Sequence, residues 1–221
     1  MAKETVFILC GGEASGVKEI LSHYDYWKNA RFIGVDKGAG LLLHLGYPID
    51  LAIGDFDSLN PIDMKAIKMT AKYIERFDSE KDDTDTQLAL VRAMQMFPQA
   101  RRFILLGAIG GRVDHFLSNL YMVLEPRFEE IIEKIYMQDE CNQIHFLKPG
   151  SHVLEKNEEY HYIAFANLRE TKDFAIKNAK YELVPTNLPL PTSYPSNEFA
   201  DGKEIEISFS QGLIAVIESR D

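Results

Sequence analysis

The chain has 221 residues, 46% of them hydrophobic and 26% charged, enough to bury one large core or two smaller ones. A net charge of −10 excludes nonspecific nucleic-acid binding, which needs clustered Lys and Arg, and requires any anionic substrate to meet local cations. The two cysteines, Cys10 and Cys141, have no metal-ligand spacing and make no disulfide scaffold, and no apolar run reaches the roughly 20 residues of a membrane span.

The opening Met1-Ala2-Lys3-Glu4 leads directly into an apolar run without a signal-peptide pattern, so a soluble, cytoplasmic protein is expected. Val6-Phe7-Ile8-Leu9 stops at Cys10-Gly11-Gly12, as a buried strand feeding a glycine turn does. The turn from Gly11 to Lys18 fails as a Walker A loop, because Val17 precedes Lys18 and Glu19 follows it. A glycine turn at a helix start can still hold an anion through free backbone N–H groups, or it can be purely structural. Residues 17–29 show mixed helical periodicity. Phe32 to Val35 is a second strand ending on Asp36, and Lys37 to Leu45 is a helix closed by Gly46, with Pro48 beyond.

Leu51-Ala52-Ile53-Gly54 is the third strand, and Asp55 and Asp57 stand just past its end. If the chain stays extended, the two carboxylates point the same way and concentrate charge, which suits a hard cation such as Mg²⁺. The plainer alternative is a turn leading to the helix start at Asn60-Pro61. Pro61 to Lys72 reads as that helix and Tyr73 to Phe77 as another strand. The loop from Ser79 to Asp85 carries four acids beside Lys81, and Thr84 with Gln87 forms a capping box for a helix placing Leu88, Val91 and Met94 on one face. Arg102 to Leu106 is a strand running into Gly107–Arg112. Asp114 caps a helix through Leu124, which Pro126 stops, and Lys134 to Gln138 is the last strand of the series.

Strands alternating with helices at this rhythm imply an α/β fold with a mostly parallel sheet and helices on both faces. Ligands of such sheets bind outside the carboxyl ends of the strands. Gly11-Gly12, Asp36, Asp55, Asp57, Asp82, Asp85 and Asp114 all follow strand ends or the turns after them. Arg112, on a glycine turn beside Asp114 and His115, suits bidentate phosphate binding. From about residue 140 the helical pattern gives way to short alternating segments: 152–154, 160–165, 205–209 and 213–217. Pro185 to Pro195 reads as turn-rich. A smaller all-β sandwich is expected over 139–221, following an α/β domain over 1–138.

Four segments in order then resemble one family: Val35-Asp36-Lys37-Gly38-Ala39, Gly54-Asp55-Phe56-Asp57-Ser58, Lys81-Asp82-Asp83-Thr84-Asp85, and the run Gly110 to Asn119 through Arg112, Asp114 and His115. Together they resemble thiamine pyrophosphokinase over roughly residues 5–120, more faintly through Ser196-Asn197 and Gly212-Leu213-Ile214. The resemblance implies pyrophosphoryl transfer from ATP to the thiamine hydroxyl with release of AMP, and a homodimer with thiamine and ATP as ligands and neither nucleic-acid nor membrane partners. It implies Asp55, Asp57, Asp82 and Asp85 as Mg²⁺ ligands, with Asp57, Asp82, Asp85, Arg112 and Asp114 as catalytic residues. Lys81 and Arg112 would face phosphates, with Asp36, Asp114 and His115 near the nucleotide, and Ser196 and Asn197 would contact thiamine across the dimer interface. The tryptophan that some members place near thiamine has no counterpart here, since Trp27 lies in the first helix, so Tyr194 and Phe199 are the aromatic candidates. The competing readings are a metal-dependent nucleotide hydrolase and a nucleotide- or thiamine-binding regulatory protein.

Overall fold

The computed structural model describes residues 5–12, 16–23, 30–78, 82–200 and 202–221. Six strands make the sheet of a first unit: β1 (Thr5–Leu9), β2 (Arg31–Val35), β3 (Leu51–Gly54), β4 (Tyr73–Arg76), β5 (Arg102–Leu106) and β6 (Ile135–Gln138). They pair in the order β6-β5-β1-β2-β3-β4, every pairing parallel. Strands β1, β2, β3 and β5 are buried almost throughout, so both sheet faces demand apolar residues and the runs are continuous rather than alternating.

Helices cover both faces, as expected: α1 (Val17–His23), α2 (Lys37–Leu45), α3 (Pro61–Thr70), α4 (Asp85–Met96) and α5 (Val113–Met122). Val17, Leu21, Leu42 and Ile67 from the first three join Phe7, Leu9, Phe32, Ala52, Ile104 and Leu106 in one core. Helix α2 lies directly on the sheet, because a Cβ at Gly38 would collide with the Leu9 carbonyl. Gly46 closes this helix with φ 76°.

Helix α4 lies against β1, β2 and β3 and buries Thr86, Ala89, Leu90 and Ala93. Leu88, Val91 and Met94, expected on the packed face, are only half-buried. Three of the four buried side chains are small, which lets the helix approach the sheet closely, and Leu90 supplies the large apolar contact. Helix α3 stops at Thr70, short of Lys72, whose ammonium lies 2.5 Å from the buried Asp50 carboxylate. The other Asp50 oxygen accepts the Phe32 N–H at 2.9 Å. Helix α5 runs from Val113 only to Met122, which places Asp114 inside its first turn.

Contacts divide the chain into Met1–Met122 with Ile135–Glu140, and Val123–Lys134 with Cys141–Asp221. Residues 123–134 group with the second unit, where the Arg169 guanidinium donates to the Leu124 carbonyl at 3.1 Å. That unit is an antiparallel sandwich of β7 (Asn142–Leu147), β8 (Gly150–Leu154), β9 (Tyr162–Asn167), β10 (Thr171–Lys177), β11 (Leu183–Leu188), β12 (Ser193–Asn197), β13 (Ile205–Phe209) and β14 (Ile214–Ser219). Strands β12, β9, β14 and β7 pair in that order, and β11, β10, β13 and β8 form the facing sheet. Phe165, Phe174, Ile207, Phe209 and Val216 fill the space between. The stretch from Pro185 to Pro195 is not simply a turn: it spans most of β11 and β12, both at sheet edges, where proline's missing N–H breaks no ladder.

Candidate active site

From β1 the chain steps outward through β2, β3 and β4, then returns to the other side of β1 as β5 and β6. The sheet therefore reverses direction between β1 and β5, where open α/β sheets form their ligand crevice. A cleft of about 970 Å³ opens there. The turns after β1 (Cys10 to Gly12) and β5 (Gly107 to Arg112) line it, joined by Asp36 and Lys37 after β2, Ser58 after β3, and Asp82 to Thr86 at the start of α4. The first two turns touch so closely that a Cβ at Gly12 would run into the Gly107 carbonyl.

The Asp55–Asp57 turn does not continue the strand. The chain leaves β3 at Gly54 with φ 141° and reverses at Phe56 with φ 59°, so the expectation of extended backbone is corrected here. Phe56 is buried in the first unit's core, and the acids on either side of it are half-buried (Asp55) and exposed (Asp57). The Asp57 N–H donates to Asp55 Oδ1 at 3.0 Å, and the Ser58 hydroxyl donates to Asp57 Oδ1 at 2.9 Å. Asp36 stands against this turn. Burial pushes its carboxyl up to about 6, the Phe56 N–H opposes that rise, and the charges of Asp85, Asp55 and Asp57 add to it. Asp36 thus faces the charges of three further acids, from two other segments, in a partly desolvated place.

Thr84 caps α4 through a complete capping box with Gln87, leaving Asp85 half-buried in the first turn and Asp82 exposed before it. Lys81 lies outside the described residues. Across the cleft, the Arg112 guanidinium grips Asp114 with two bonds, Nε to Oδ1 at 3.1 Å and Nη2 to Oδ2 at 2.6 Å. That bond holds the Asp114 carboxyl below its ordinary range and raises the guanidinium further. The His115 N–H also donates to Asp114 Oδ1, at 3.0 Å.

Two residues without an assignment in the sequence reading belong to this cleft. Lys37 is exposed at the first position of α2 and forms no ion pair among the described residues. Its signal was position, a cation directly after a strand-end acid at a helix start. Asn119 is buried on α5 and donates to the Ala108 carbonyl at 3.0 Å, fixing the glycine turn that precedes Arg112. Its signal was a polar residue on an otherwise apolar helix face.

The sandwich unit holds the remaining candidates. Ser196 is exposed, with φ 58°. Asn197 is buried, its side chain accepting the Tyr181 N–H at 2.9 Å and donating to the Tyr181 carbonyl at 2.8 Å. That amide braces β12 to the neighbouring loop. Tyr194 and Phe199 pack against the sandwich core, with Tyr194 tilted on Phe174 at 6.1 Å. Trp27 lies outside the described residues.

The model of the thiamin pyrophosphokinase catalytic domain matches residues 23–136, and that of the family's vitamin B1 binding domain matches residues 151–214. This chain belongs to the thiamin pyrophosphokinase family. The thiamine pyrophosphokinase of Bacillus subtilis (strain 168) is 32% identical over 99% of this chain and 100% of its own length. A crystal structure of a thiamin pyrophosphokinase family protein from Enterococcus faecalis is 38% identical and superposes with a TM-score of 0.88, covering 98% of this chain and 99% of that one. The yeast thiamin pyrophosphokinase, at 16% identity, shares the fold, with a TM-score of 0.74 over 99% of this chain and 86% of that chain. In thiamin pyrophosphokinase terms, the cleft at the switch point is lined by residues of the stretch matched by the catalytic model together with Cys10, Gly11 and Gly12 before it, and Ser196 and Asn197 lie within the stretch matched by the vitamin-binding model.

Proposed function

We propose that the switch-point cleft is where this chain transfers a pyrophosphoryl group from ATP to the hydroxyl of thiamine, giving thiamine diphosphate and AMP. The observation that carries the reading is one cleft lined by Asp36, Asp82, Asp85, Lys37 and Arg112, with the Asp55–Asp57 turn held against Asp36, in a chain of this family. The thiamine oxygen attacks the β-phosphorus, forming a new P–O bond. The bond from that phosphorus to the oxygen bridging toward the α-phosphate breaks, and the electron pair leaves with AMP.

Mg²⁺ fits the donor set. Among the described residues no three acids, histidines or cysteines are gathered into a ready-made metal shell. Mg²⁺ needs no such shell, because it usually takes one or two carboxylates and completes its octahedron with waters and substrate phosphates. Hard carboxylate oxygens such as those of Asp55, Asp57, Asp82 and Asp85 are the donors it prefers. Asp55, Asp57, Asp82 and Asp85 would hold it, and when bound it supplies positive charge to phosphate oxygens. The protein's own cations do the rest. Arg112 presents a planar fork to the transferred group, and Asp114 sets its orientation. Lys37 places further positive charge against the triphosphate, the family resemblance gives Lys81 the same role, and Asp36, Asp114 and His115 stand beside the nucleotide.

The Ser196 hydroxyl contacts thiamine across the dimer interface, and Asn197, bonded to Tyr181, keeps its strand in place. The working assembly is a cytoplasmic homodimer, which sedimentation would report as twice the chain mass. The test of the reaction is product analysis with ATP and Mg²⁺, with and without thiamine. AMP and thiamine diphosphate appearing together, and only with thiamine, is the expected result. Thiamine-independent phosphate release would mark a hydrolase instead, and ligand binding without products a regulatory protein.

A further inference from the structure

Asp36 is anchored on both sides. Its backbone N–H donates to the Ile53 carbonyl at 3.0 Å, and its Oδ1 accepts the Phe56 N–H at 3.1 Å. The carboxylate occupies the space that a Cβ at Gly54 would need. Three residues around this contact hold backbone dihedrals of the positive-φ region: Asp36 itself (φ 47°), Gly54 (φ 141°) and Phe56 (φ 59°). Non-glycine residues in such conformations persist only where their surroundings over-determine them. Here the Phe56 ring is locked into the core on one side of the turn, and the Asp36 oxygen takes its N–H on the other.

We propose that Asp36 is a positioning residue, whose side-chain oxygen holds the Gly54–Asp57 turn in the shape that keeps the Asp55 and Asp57 carboxylates together at the end of β3. This rests on the reading of Asp55 and Asp57 as metal-holding acids. The role asks for an acceptor oxygen at one point rather than for a negative charge. Without that oxygen the Phe56 N–H loses its partner, the turn relaxes toward ordinary dihedrals, and the two carboxylates part. An asparagine oxygen meets the requirement. A glutamate keeps the charge but moves its oxygens by one methylene into a place that Gly54 already fills.

The experiment compares Asp36→Asn and Asp36→Glu, with Asp36→Ala as the deletion. Two quantities are read: the backbone amide resonances of Phe56 and Asp57 in metal-free protein, and the affinity for Mn²⁺ by paramagnetic resonance. Asp36→Asn is expected to keep both amide resonances near their native positions and the Mn²⁺ affinity within about threefold. Asp36→Glu and Asp36→Ala are expected to shift both resonances and to weaken Mn²⁺ about tenfold or more, as loss of a group that orients metal-holding side chains does. Native behaviour of Asp36→Glu with loss in Asp36→Asn would overturn the proposal in favour of a charge-dependent contact. Unchanged resonances in Asp36→Ala would overturn it outright, and the Asn/Glu pair decides the matter if the alanine variant does not fold. Should native protein bind no Mn²⁺, the metal reading fails while the resonances still decide whether Asp36 holds the turn.

Discussion

Asp57 is exposed and, among the described residues, its hydrogen bonds go to Asp55 and Ser58 within its own turn, so its structural duties there are slight. Its place is set by the buried Phe56 ring before it rather than by its own carboxylate. Asp57→Asn is therefore expected to leave thermal melting unchanged while turnover falls about a hundredfold or more, as the loss of a group that counters transition-state charge does. Arg112→Ala belongs to the same class, since its guanidinium meets only the exposed Asp114. Steady-state rates set beside melting curves check both, and near-normal turnover in either variant would remove that residue from the site. Asp50, another strand-end acid, contrasts with these, because its oxygens are committed to the Phe32 N–H and the Lys72 ammonium. It also stands before the first residue of β3, at the opposite end of that strand from Asp55 and Asp57.

At the scale of elements, α4 carries Asp85 into the cleft from a helix start that depends on Thr84. Thr84→Ala removes the acceptor for the Gln87 N–H and is expected to cost about 1 kcal/mol, read by urea denaturation. In the sandwich, β14 runs between β7 and β9 and carries Glu218, whose carboxyl burial raises it despite the hydrogen bond from Gln143 at 2.7 Å. The folded state therefore binds this proton more tightly than the unfolded chain does. The stabilisation is fully present below the ordinary pKa of 4.5 and is lost as pH climbs through the raised folded value. Glu218→Gln is expected to raise the urea midpoint at pH 8 relative to the native chain and to lose that advantage at pH 4. An equal effect at both pH values would show that burial of charge is not the cause.

The same elements show what the sequence made legible. The parallel strands were readable because burial on both faces leaves continuous apolar runs, each ended by a glycine or an acid at the site edge. Strands β11 and β12 were hidden by Pro185 and Pro195, which an edge position tolerates. Strand β10 was hidden by register shifts against β11 and by Asp173 at φ 56°, which break its alternation. Within the site, the order of motifs named the acids, but no pattern of period two or 3.6 encodes a turn such as Gly54–Asp57, whose shape depends on a carboxylate 20 residues away.

On the scale of the whole molecule, the chain joins a parallel α/β unit whose strand ends form an acidic cleft to an antiparallel sandwich matched by the family's vitamin B1 binding model. No helix among the described residues is long and apolar enough to cross a membrane. The strongly negative chain has no general field with which to attract a triphosphate, which leaves local cations such as Lys37 and Arg112 at the cleft to meet one. The central claim is attack of the thiamine oxygen on the β-phosphorus of ATP. It is tested most directly with ATP carrying ¹⁸O in the oxygen that bridges the α- and β-phosphates. The account predicts that AMP retains all of this label and that thiamine diphosphate contains none. Label in thiamine diphosphate, or in pyrophosphate released with AMP, would place the attack on the α-phosphorus and contradict it.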